Sequence, residues 1–370
     1  MTASLHLGLS LAPTWLRGAA WRRPDSRVEE MFDLDFYADA AGLAQDAGLD
    51  FCFIPDPGHL DPSVLGNAPG FSTLDSMTLA AALAGRTDRI GLIPTVHTLV
   101  ASPYTAARRL QSLARLSGGR AGWNAVTALG GLGNHGSPEI PGPERYARAA
   151  EFIKVVRAVS ASYPVEALRL DRAAAVFADT SAIRPPDHHG AFFEVDGPST
   201  VPALDGGKLP LFQAGGSPAG RDFAAANADA VFAAAPTLPE AIEQRTDLKR
   251  RALAHGRAEA DLRVLPGLSL FLDETSSGAR ALAAASAGPA GASHWTIVGT
   301  AVQAADQIHA WAEAGAIDGL IALPGGSWDS LRIFCTQVVP LLAQRGLASP
   351  GEGSLAQRLR LSQEGDFSRT

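Results

Sequence analysis

Short apolar runs alternate along the chain with longer segments in which apolar residues recur every three or four positions. Runs of strand length that alternate with helical segments are typical of parallel βαβ units. The pattern therefore predicts a parallel sheet that is covered by helices. The eight predicted strands are 5–11, 50–56, 90–96, 122–127, 209–215, 230–234, 264–271 and 319–323.

The segments between and after these strands predict helices. The first carries Phe36, Ala40 and Leu43 on one face and is followed by Gly48, a residue type that commonly ends a helix. Eight strand–helix units in 370 residues favour a single (β/α)8 TIM barrel over the alternative, an open doubly wound sheet with a small second domain. The predicted helices are 35–47, 74–85, 103–116, 144–162, 218–228, 239–255, 301–314 and 330–344.

Two stretches are too long to be ordinary connections within a barrel. Residues 163–208 contain the strand-like segment 191–195 and are interpreted as a structured excursion. Residues 275–300 are rich in Ala, Gly and Ser, which predicts a short helix and then a mobile loop of the kind that closes over barrel sites. We assign 1–348 to the barrel, with insertions at about 163–208 and 275–300, and 349–370 to a polar C-terminal tail that is expected to fray.

Composition narrows the class of protein. Hydrophobic residues make up 46% of the chain and the net charge is −7, so a large core is expected and a nucleic-acid partner is not. No apolar run approaches the ~18 residues of a membrane helix, and no secretory signal is evident, so we expect a cytoplasmic protein without a membrane partner. Two cysteines cannot form a disulfide framework. The histidines lack partners at ligand spacing, so no metal site is expected.

The segment from Gln213 to Arg221 predicts an anion site. A strand runs into Gly215 and Gly216, and then into a helix for which Ser217 suits the N-cap and Pro218 the first turn. Free N–H groups at such a helix start attract a phosphate. The alternative is a plain strand–turn–helix joint, since the segment has neither the lysine nor the glycine spacing of known nucleotide-binding loops.

Other strand ends supply further candidates, because barrel enzymes place their sites at the carboxyl ends of the strands. Asp56 ends the second predicted strand, where its carboxylate could accept hydrogen bonds from a ligand or cap the loop that follows. Tyr146 lies in the first turn of a predicted helix and could donate to a phosphate, although a half-buried tyrosine is the simpler interpretation. Cys52 is interpreted as a buried small hydrophobe rather than a nucleophile.

The run SGGRAGWN at 117–124, taken together with QAGGS at 213–217, is specific for a known family. With these motifs, most of the chain resembles the nitrilotriacetate and dibenzothiophene-sulfone monooxygenase branch of the bacterial luciferase-like flavin enzymes. The resemblance covers 21–28, 33–56, 87–92, 103–108, 116–124, 144–146, 189–190, 193–198, 213–220 and 312–320.

The resemblance implies a (β/α)8 barrel that binds reduced FMN supplied by a separate NAD(P)H:flavin reductase. Oxygen then adds to the flavin, and the resulting peroxide inserts one oxygen atom into a small organic substrate. By position, Asp56 and Thr95 would lie beside the flavin and Asn124 would flank its ring. Tyr146, Ser217 and the backbone of Gly216 would hold the phosphate. A homodimer or homotetramer is also implied.

The chain departs from the family at several positions. The histidine that often stands four residues before the tyrosine is replaced by Gly142, so one phosphate contact is missing or is supplied by another basic group such as Arg221. His97 stands where a small hydroxyl residue is usual. It lies one residue beyond the third predicted strand, and the pKa of a histidine suits proton transfer near neutral pH, so His97 is our hypothesis for the acid–base group.

Two other functions stay open from the sequence. One is a deazaflavin (F420)-dependent oxidoreductase on the same barrel, which would need no oxygen. The other is a flavin-binding relative that has lost turnover, an interpretation prompted by the missing histidine and by loops shorter than is typical. The identity of the substrate is not readable from the residues.

Overall fold

A computed structural model describes residues 4–127, 130–136, 140–204, 208–286, 294–349 and 351–361. Its strands, in chain order, are β1 (His6–Ser10), β2 (Phe51–Ile54), β3 (Gly91–His97), β4 (Trp123–Val126), β5 (Leu168–Asp171), β6 (Val176–Ala178), β7 (His188–His189), β8 (Glu194–Val195), β9 (Leu211–Gln213), β10 (Ala230–Ala233), β11 (Arg263–Leu272), β12 (Trp295–Gly299) and β13 (Gly319–Pro324).

The α-helices lie between and after these strands. They are α1 (Leu34–Asp46), α2 (Ser76–Ala84), α3 (Pro103–Leu116), α4 (Gly142–Ala161), α5 (Pro218–Asn227), α6 (Leu238–Ala254), α7 (Ser276–Ala285), α8 (Ala301–Glu313), α9 (Trp328–Ile333), α10 (Val339–Gln344) and α11 (Leu355–Arg358). A π-helical turn, Phe334–Val338, joins α9 to α10, so the predicted helix 330–344 is one helical segment with a single wide turn.

Eight parallel strands close into a barrel in the order β1, β2, β3, β4, β9, β10, β11, β13 and back to β1. These are the eight strands that the apolar runs predict, so the prediction of a single (β/α)8 barrel is confirmed. Phe51 on β2 and Phe212 on β9 contact each other across the interior, with ring centroids 5.0 Å apart. Their neighbours in sequence point outward to the helices, as the two-residue period of a strand requires.

The two insertions hold ordered structure. Residues 163–208 contain two small hairpins, β5 with β6 and β7 with β8, and the strand within the predicted segment 191–195 is only two residues long. In the second insertion the predicted helix is α7, whereas the predicted loop at 287–293 lies outside the described residues. The strand β12, which pairs in parallel with the carboxyl half of β11, was not predicted from the sequence.

The C-terminal segment differs from the expectation of a polar, fraying tail. Within 351–361, Leu355, Leu359 and Leu361 are buried in the same cluster as the residues of the barrel interior. They close the amino-terminal end of the barrel, where Gly91 and Gly122 leave room for Leu355: a Cβ on Gly91 would lie 2.6 Å from its Cδ1. Burial of three leucines overrides the polar character of the surrounding residues. Residues 362–370 of the predicted tail lie outside the described residues.

Candidate active site

Polar side chains meet where β2, β3 and β4 end at the carboxyl mouth of the barrel. Thr95 and Asn124 are paired across β3 and β4 by register, and the Asn124 Nδ2 donates to Thr95 Oγ1 at 3.1 Å. The same hydroxyl donates to the backbone oxygen of Ile54 on β2 at 2.9 Å. Both side chains are buried, so the three strand ends are held in fixed relation.

Two buried carbonyl oxygens in this region lack a hydrogen-bond donor. They are Oδ1 of Asn124 and Oε1 of Gln213, on the neighbouring strands β4 and β9. A buried acceptor without a donor costs about 1–3 kcal/mol, a penalty that a bound ligand with N–H groups would remove. By register Asn124 is level with Phe212 on the inward side of the barrel, whereas Gln213 pairs with Ala125 on the outward side. The oxygen of Asn124 therefore fits a ligand in the mouth that carries a hydrogen-bond donor.

Asp56 and His97 form a second polar group beside Thr95. The Asp56 carboxylate accepts from the backbone N–H groups of Gly58 at 2.9 Å and of Ser76 at 3.2 Å, and its Oδ1 lies 3.7 Å from His97 Nε2. Burial alone would raise the pKa of Asp56, but the approach of His97 and the two N–H groups outweigh burial and leave the pKa below its ordinary value. Asp56 is therefore a carboxylate at neutral pH.

The His97 ring is held in a narrow slot. A Cβ on Gly58 would lie 2.9 Å from Cε1 of the ring, and Gly58 has a φ of +69°, so this turn needs a glycine for both space and backbone conformation. His97 Nε2 is buried without a hydrogen-bond partner at its 3.7 Å distance from Asp56. The structure therefore leaves the hydrogen-bonding capacity of this nitrogen unused.

Tyr146 and Ser217 meet at a corner formed by the first turns of α4 and α5. Ser217 is the N-cap of α5 and accepts from the backbone N–H of Gly220 at 3.0 Å, while its Oγ lies 3.3 Å from the hydroxyl of Tyr146. A Cβ placed on Gly216 would meet no atom within 4 Å. Since β9 leads directly into this corner and pairs with β4, the corner adjoins the polar strand ends.

Arg221, the basic residue that could replace the missing histidine, is paired with acidic side chains. Arg221 Nη1 lies 3.2 Å from a carboxylate oxygen of Glu243 and 3.4 Å from one of Asp247, so its charge is already balanced. A side chain at Gly142 would extend into open space. The cradle for an anion here consists of hydroxyl groups and backbone N–H groups.

The position of His294 was not predicted from the sequence. His294 stacks on Phe232, with ring centroids 5.5 Å apart and an angle of 21° between the rings. His294 precedes β12, which the sequence pattern did not predict, so its place at the barrel was not expected. His294 directly precedes Trp295–Gly299, a segment with three β-branched residues in which buried and exposed positions alternate. This pattern could have predicted the strand and, with it, the position of His294.

Other reactive groups lie away from this mouth. Burial raises the pKa of both thiols, that of Cys335 to about 12, so neither cysteine is a ready nucleophile. Among the described residues, Asp187, His189 and Asp196 are close enough to share a cation, but all three are exposed on a hairpin and no other observation points to an ion there. None of the helices in the described part of the chain has the length and apolarity needed to cross a bilayer.

Comparison with known proteins agrees with this fold. Residues 16–296 match the model of the family described as luciferase-like monooxygenase, and the chain belongs to this family. It is 35% identical over 290 residues to component A of nitrilotriacetate monooxygenase from Aminobacter aminovorans, a match that covers 75% of this chain and 64% of that protein. The resemblance to the luciferase-like family inferred from the sequence is thereby confirmed.

Two further proteins are similar to this chain. Dibenzothiophene-sulfone monooxygenase from Rhodococcus erythropolis is 32% identical over 271 residues, covering 69% of this chain and 59% of that protein. The crystal structure of a riboflavin lyase with a modified FMN and riboflavin superposes with a TM-score of 0.85 at 26% identity, covering 96% of this chain and 95% of that one. The chain thus spans less than two thirds of the length of the two monooxygenases.

Proposed function

We propose that this protein is the oxygenase of a two-component, FMN-dependent monooxygenase. A separate NAD(P)H:flavin reductase would supply the reduced FMN, and one oxygen atom of O2 would enter a small organic substrate. The observation that carries the proposal is the open corner at Gly216, Ser217 and Tyr146 beside buried acceptors that lack donors. Relatives named as monooxygenases of small organic compounds, and an FMN-containing neighbour of the same fold, support it.

The corner has the donors that a phosphate needs. Ser217 and Tyr146 supply two hydroxyl groups, and the start of α5 adds backbone N–H groups and the positive end of a helix dipole. The space beside Gly216 lets the anion approach the backbone closely. No atom of the described residues lies within 4 Å of a Cβ placed on Gly216, so this space would be free for the anion.

The strand ends would hold the ring of the cofactor. The oxygen of Asn124 would accept from a ring N–H, and Thr95 fixes the amide of Asn124 in the orientation that presents this oxygen. Asp56 would lie at the edge of the ring and keep its negative charge there. Bound reduced FMN supplies the reaction with O2, and the residues around it orient the reactants and exclude water.

His97 is assigned the movement of a proton. Its Nε2 has no hydrogen-bond partner and lies 3.7 Å from a carboxylate oxygen of Asp56, and an imidazole can act as general acid or base toward a bound reactant. We expect the variant His97→Asn to lower kcat and to remove one limb of the pH profile of kcat/KM. If turnover and pH profile stay as in the parent protein, the assignment to His97 is wrong.

The phosphate corner is tested by comparing FMN with riboflavin, which lacks the phosphate. We expect Tyr146→Phe combined with Ser217→Ala to weaken FMN binding at least tenfold, about 1.4 kcal/mol, and to leave riboflavin binding unchanged. Tyr104→Phe combined with Ser102→Ala is a matched control, because Ser102 caps α3 in the same way and Tyr104 donates its hydroxyl to a backbone oxygen.

The reaction itself is tested by oxygen uptake in the presence of FMN, NADH and a flavin reductase. We expect the protein to couple oxygen consumption to product formation with FMN and to show no dependence on a deazaflavin. Tight binding of F420 together with oxygen-independent turnover would replace the proposal with a deazaflavin-dependent oxidoreductase. Flavin binding without turnover on any substrate would identify a non-catalytic relative. A homodimer or homotetramer is part of the proposal and is measured by light scattering.

A further inference from the structure

The hydroxyl of Ser76 satisfies the backbone at the carboxyl end of β3. The pairing of β2 with β3 ends at Ile54 and Pro94, whereas β3 continues to His97. Along this extension Ser76 Oγ accepts from the backbone N–H of Thr95 at 3.2 Å and donates to the backbone oxygen of the same residue at 2.9 Å. One side chain thus provides both of the hydrogen bonds that a neighbouring strand would otherwise make with this residue.

The start of α2 holds Ser76 in this position. Ser76 is buried and is the first residue of the helix, directly after the N-cap Asp75, which accepts from the backbone N–H of Thr78 at 2.8 Å. The first N–H groups of a helix have no partner within it, and that of Ser76 donates to the Asp56 carboxylate at 3.2 Å. A single buried residue therefore contacts two of the polar groups at the mouth, Asp56 and Thr95.

The position of Thr95 decides which atom of the Asn124 amide is left free for a ligand. The hydroxyl proton of Thr95 is donated to the backbone oxygen of Ile54, so toward Asn124 this hydroxyl can only accept. Asn124 Nδ2 donates to it, and Asn124 Oδ1 is left without a donor. The orientation of the amide is thus set by a chain of hydrogen bonds that begins at Ser76 and runs through Thr95.

We propose that Ser76 is a positioning residue for the ring of the flavin. Its hydroxyl fixes the backbone of Thr95, and Thr95 keeps the oxygen of Asn124 available to the ring. The inference rests on the proposed function, because it is that function which places a flavin ring at these strand ends. Ser76 acts through Thr95 and not by contact with the ring. Loss of its hydroxyl should therefore weaken binding of the ring and leave the phosphate corner at Ser217 unchanged.

A second serine of the barrel makes the same pair of hydrogen bonds at another strand end. Ser330 of α9 accepts from the backbone N–H of Leu272 at 3.0 Å and donates to the backbone oxygen of that residue at 3.2 Å. Ser330 is fully buried, and Leu272 is the last residue of β11. Ser330→Ala therefore removes the same two hydrogen bonds away from β2, β3 and β4, and it is the matched control for Ser76→Ala.

The first test measures the Kd of FMN and of riboflavin for the parent protein and both variants. We expect Ser76→Ala to raise the two constants by the same factor, about fivefold or more, because the two ligands share the ring. Ser330→Ala should change both by less than about twofold, although the two variants lower the urea midpoint to a similar extent. Ser76→Cys keeps the size of the side chain but weakens its hydrogen bonds, so it should act in the same direction by a smaller factor. It replaces Ser76→Ala if that variant does not fold.

The second test is hydrogen exchange of the protein without flavin. We expect the amide of Thr95 to exchange about tenfold faster or more in Ser76→Ala than in the parent protein, and that of Leu272 to respond in the same way to Ser330→Ala. Unchanged exchange at Thr95 would overturn the inference, and so would unchanged Kd values for flavins that the parent protein binds.

An effect of Ser330→Ala on flavin binding as large as that of Ser76→Ala would also overturn the inference, because binding would then follow stability alone. A parent protein that binds neither flavin, with faster exchange at Thr95 in Ser76→Ala, would instead refute the proposed function. The role of Ser76 in holding the end of β3 would then still stand.

Discussion

Removal of the Leu355 side chain tests whether the C-terminal segment closes the barrel. Leu355 is fully buried in the cluster of the barrel interior, next to Gly91 of β3 and to Gly122, which directly precedes β4. Leu→Ala changes at such sites cost about 2.7–5.0 kcal/mol, because the removed atoms leave a cavity that the surroundings refill only in part. The two glycines carry no side chains that could move into the space, so we expect Leu355→Ala to lower the free energy of unfolding by about 3–4 kcal/mol.

The measurement is urea unfolding followed by circular dichroism. With an m-value of about 3 kcal/mol/M, a loss of 3 kcal/mol lowers the midpoint by about 1 M at an unchanged slope. Leu116→Ala is the control, because Leu116 is 68% exposed at the end of α3, and its truncation should change stability by about 0.5 kcal/mol or less. A loss below about 1 kcal/mol for Leu355→Ala, or one equal to the control, would refute the closing role of this segment.

Three other outcomes are expected. Lys249 and Arg245 outweigh the burial of Asp318 and hold the pKa of its carboxyl below the ordinary value. The difference in the free energy of unfolding between the parent protein and Asp318→Asn should therefore be full near pH 7 and shrink as pH falls below about 4. A difference in urea midpoints that does not change with pH would contradict this. Gly58→Ala should strain a turn at φ +69° and displace the ring of His97, lowering kcat far more than FMN affinity. Cys52 and Cys335 should resist iodoacetamide at pH 7 until urea unfolds the protein, as mass spectrometry would show.

The barrel was predictable because its signal is repeated and strong. Strands buried on both faces read as continuous apolar runs, and each is followed by an amphipathic or alanine-rich helix. The positions of Asp56, Thr95 and Asn124 follow from the rule that barrel sites lie at the carboxyl ends of strands, and the structure brings these residues together. Their roles toward a cofactor remain predictions that the proposed experiments test.

The remaining features depend on contacts that a sequence pattern does not carry. The strand Trp295–Gly299 alternates buried and exposed residues, but it follows a stretch of Ala, Gly and Ser that predicts a loop, and its pairing with β11 is a tertiary event. The leucines of 351–361 are few and are separated by polar residues, so no period marks them as core. The engagement of Arg221 by Glu243 and Asp247 likewise requires knowledge of how α5 packs on α6.

The strands β10 and β12 share one edge of β11. β10 pairs with residues 263–266 and β12 with residues 268–272, so β12 continues this edge of β11 beyond the end of β10. Among the described residues, the other edge of β12 pairs with no strand. One side of the rim is therefore attached through a single ladder of hydrogen bonds, whereas each of the eight barrel strands is held by a ladder on both sides.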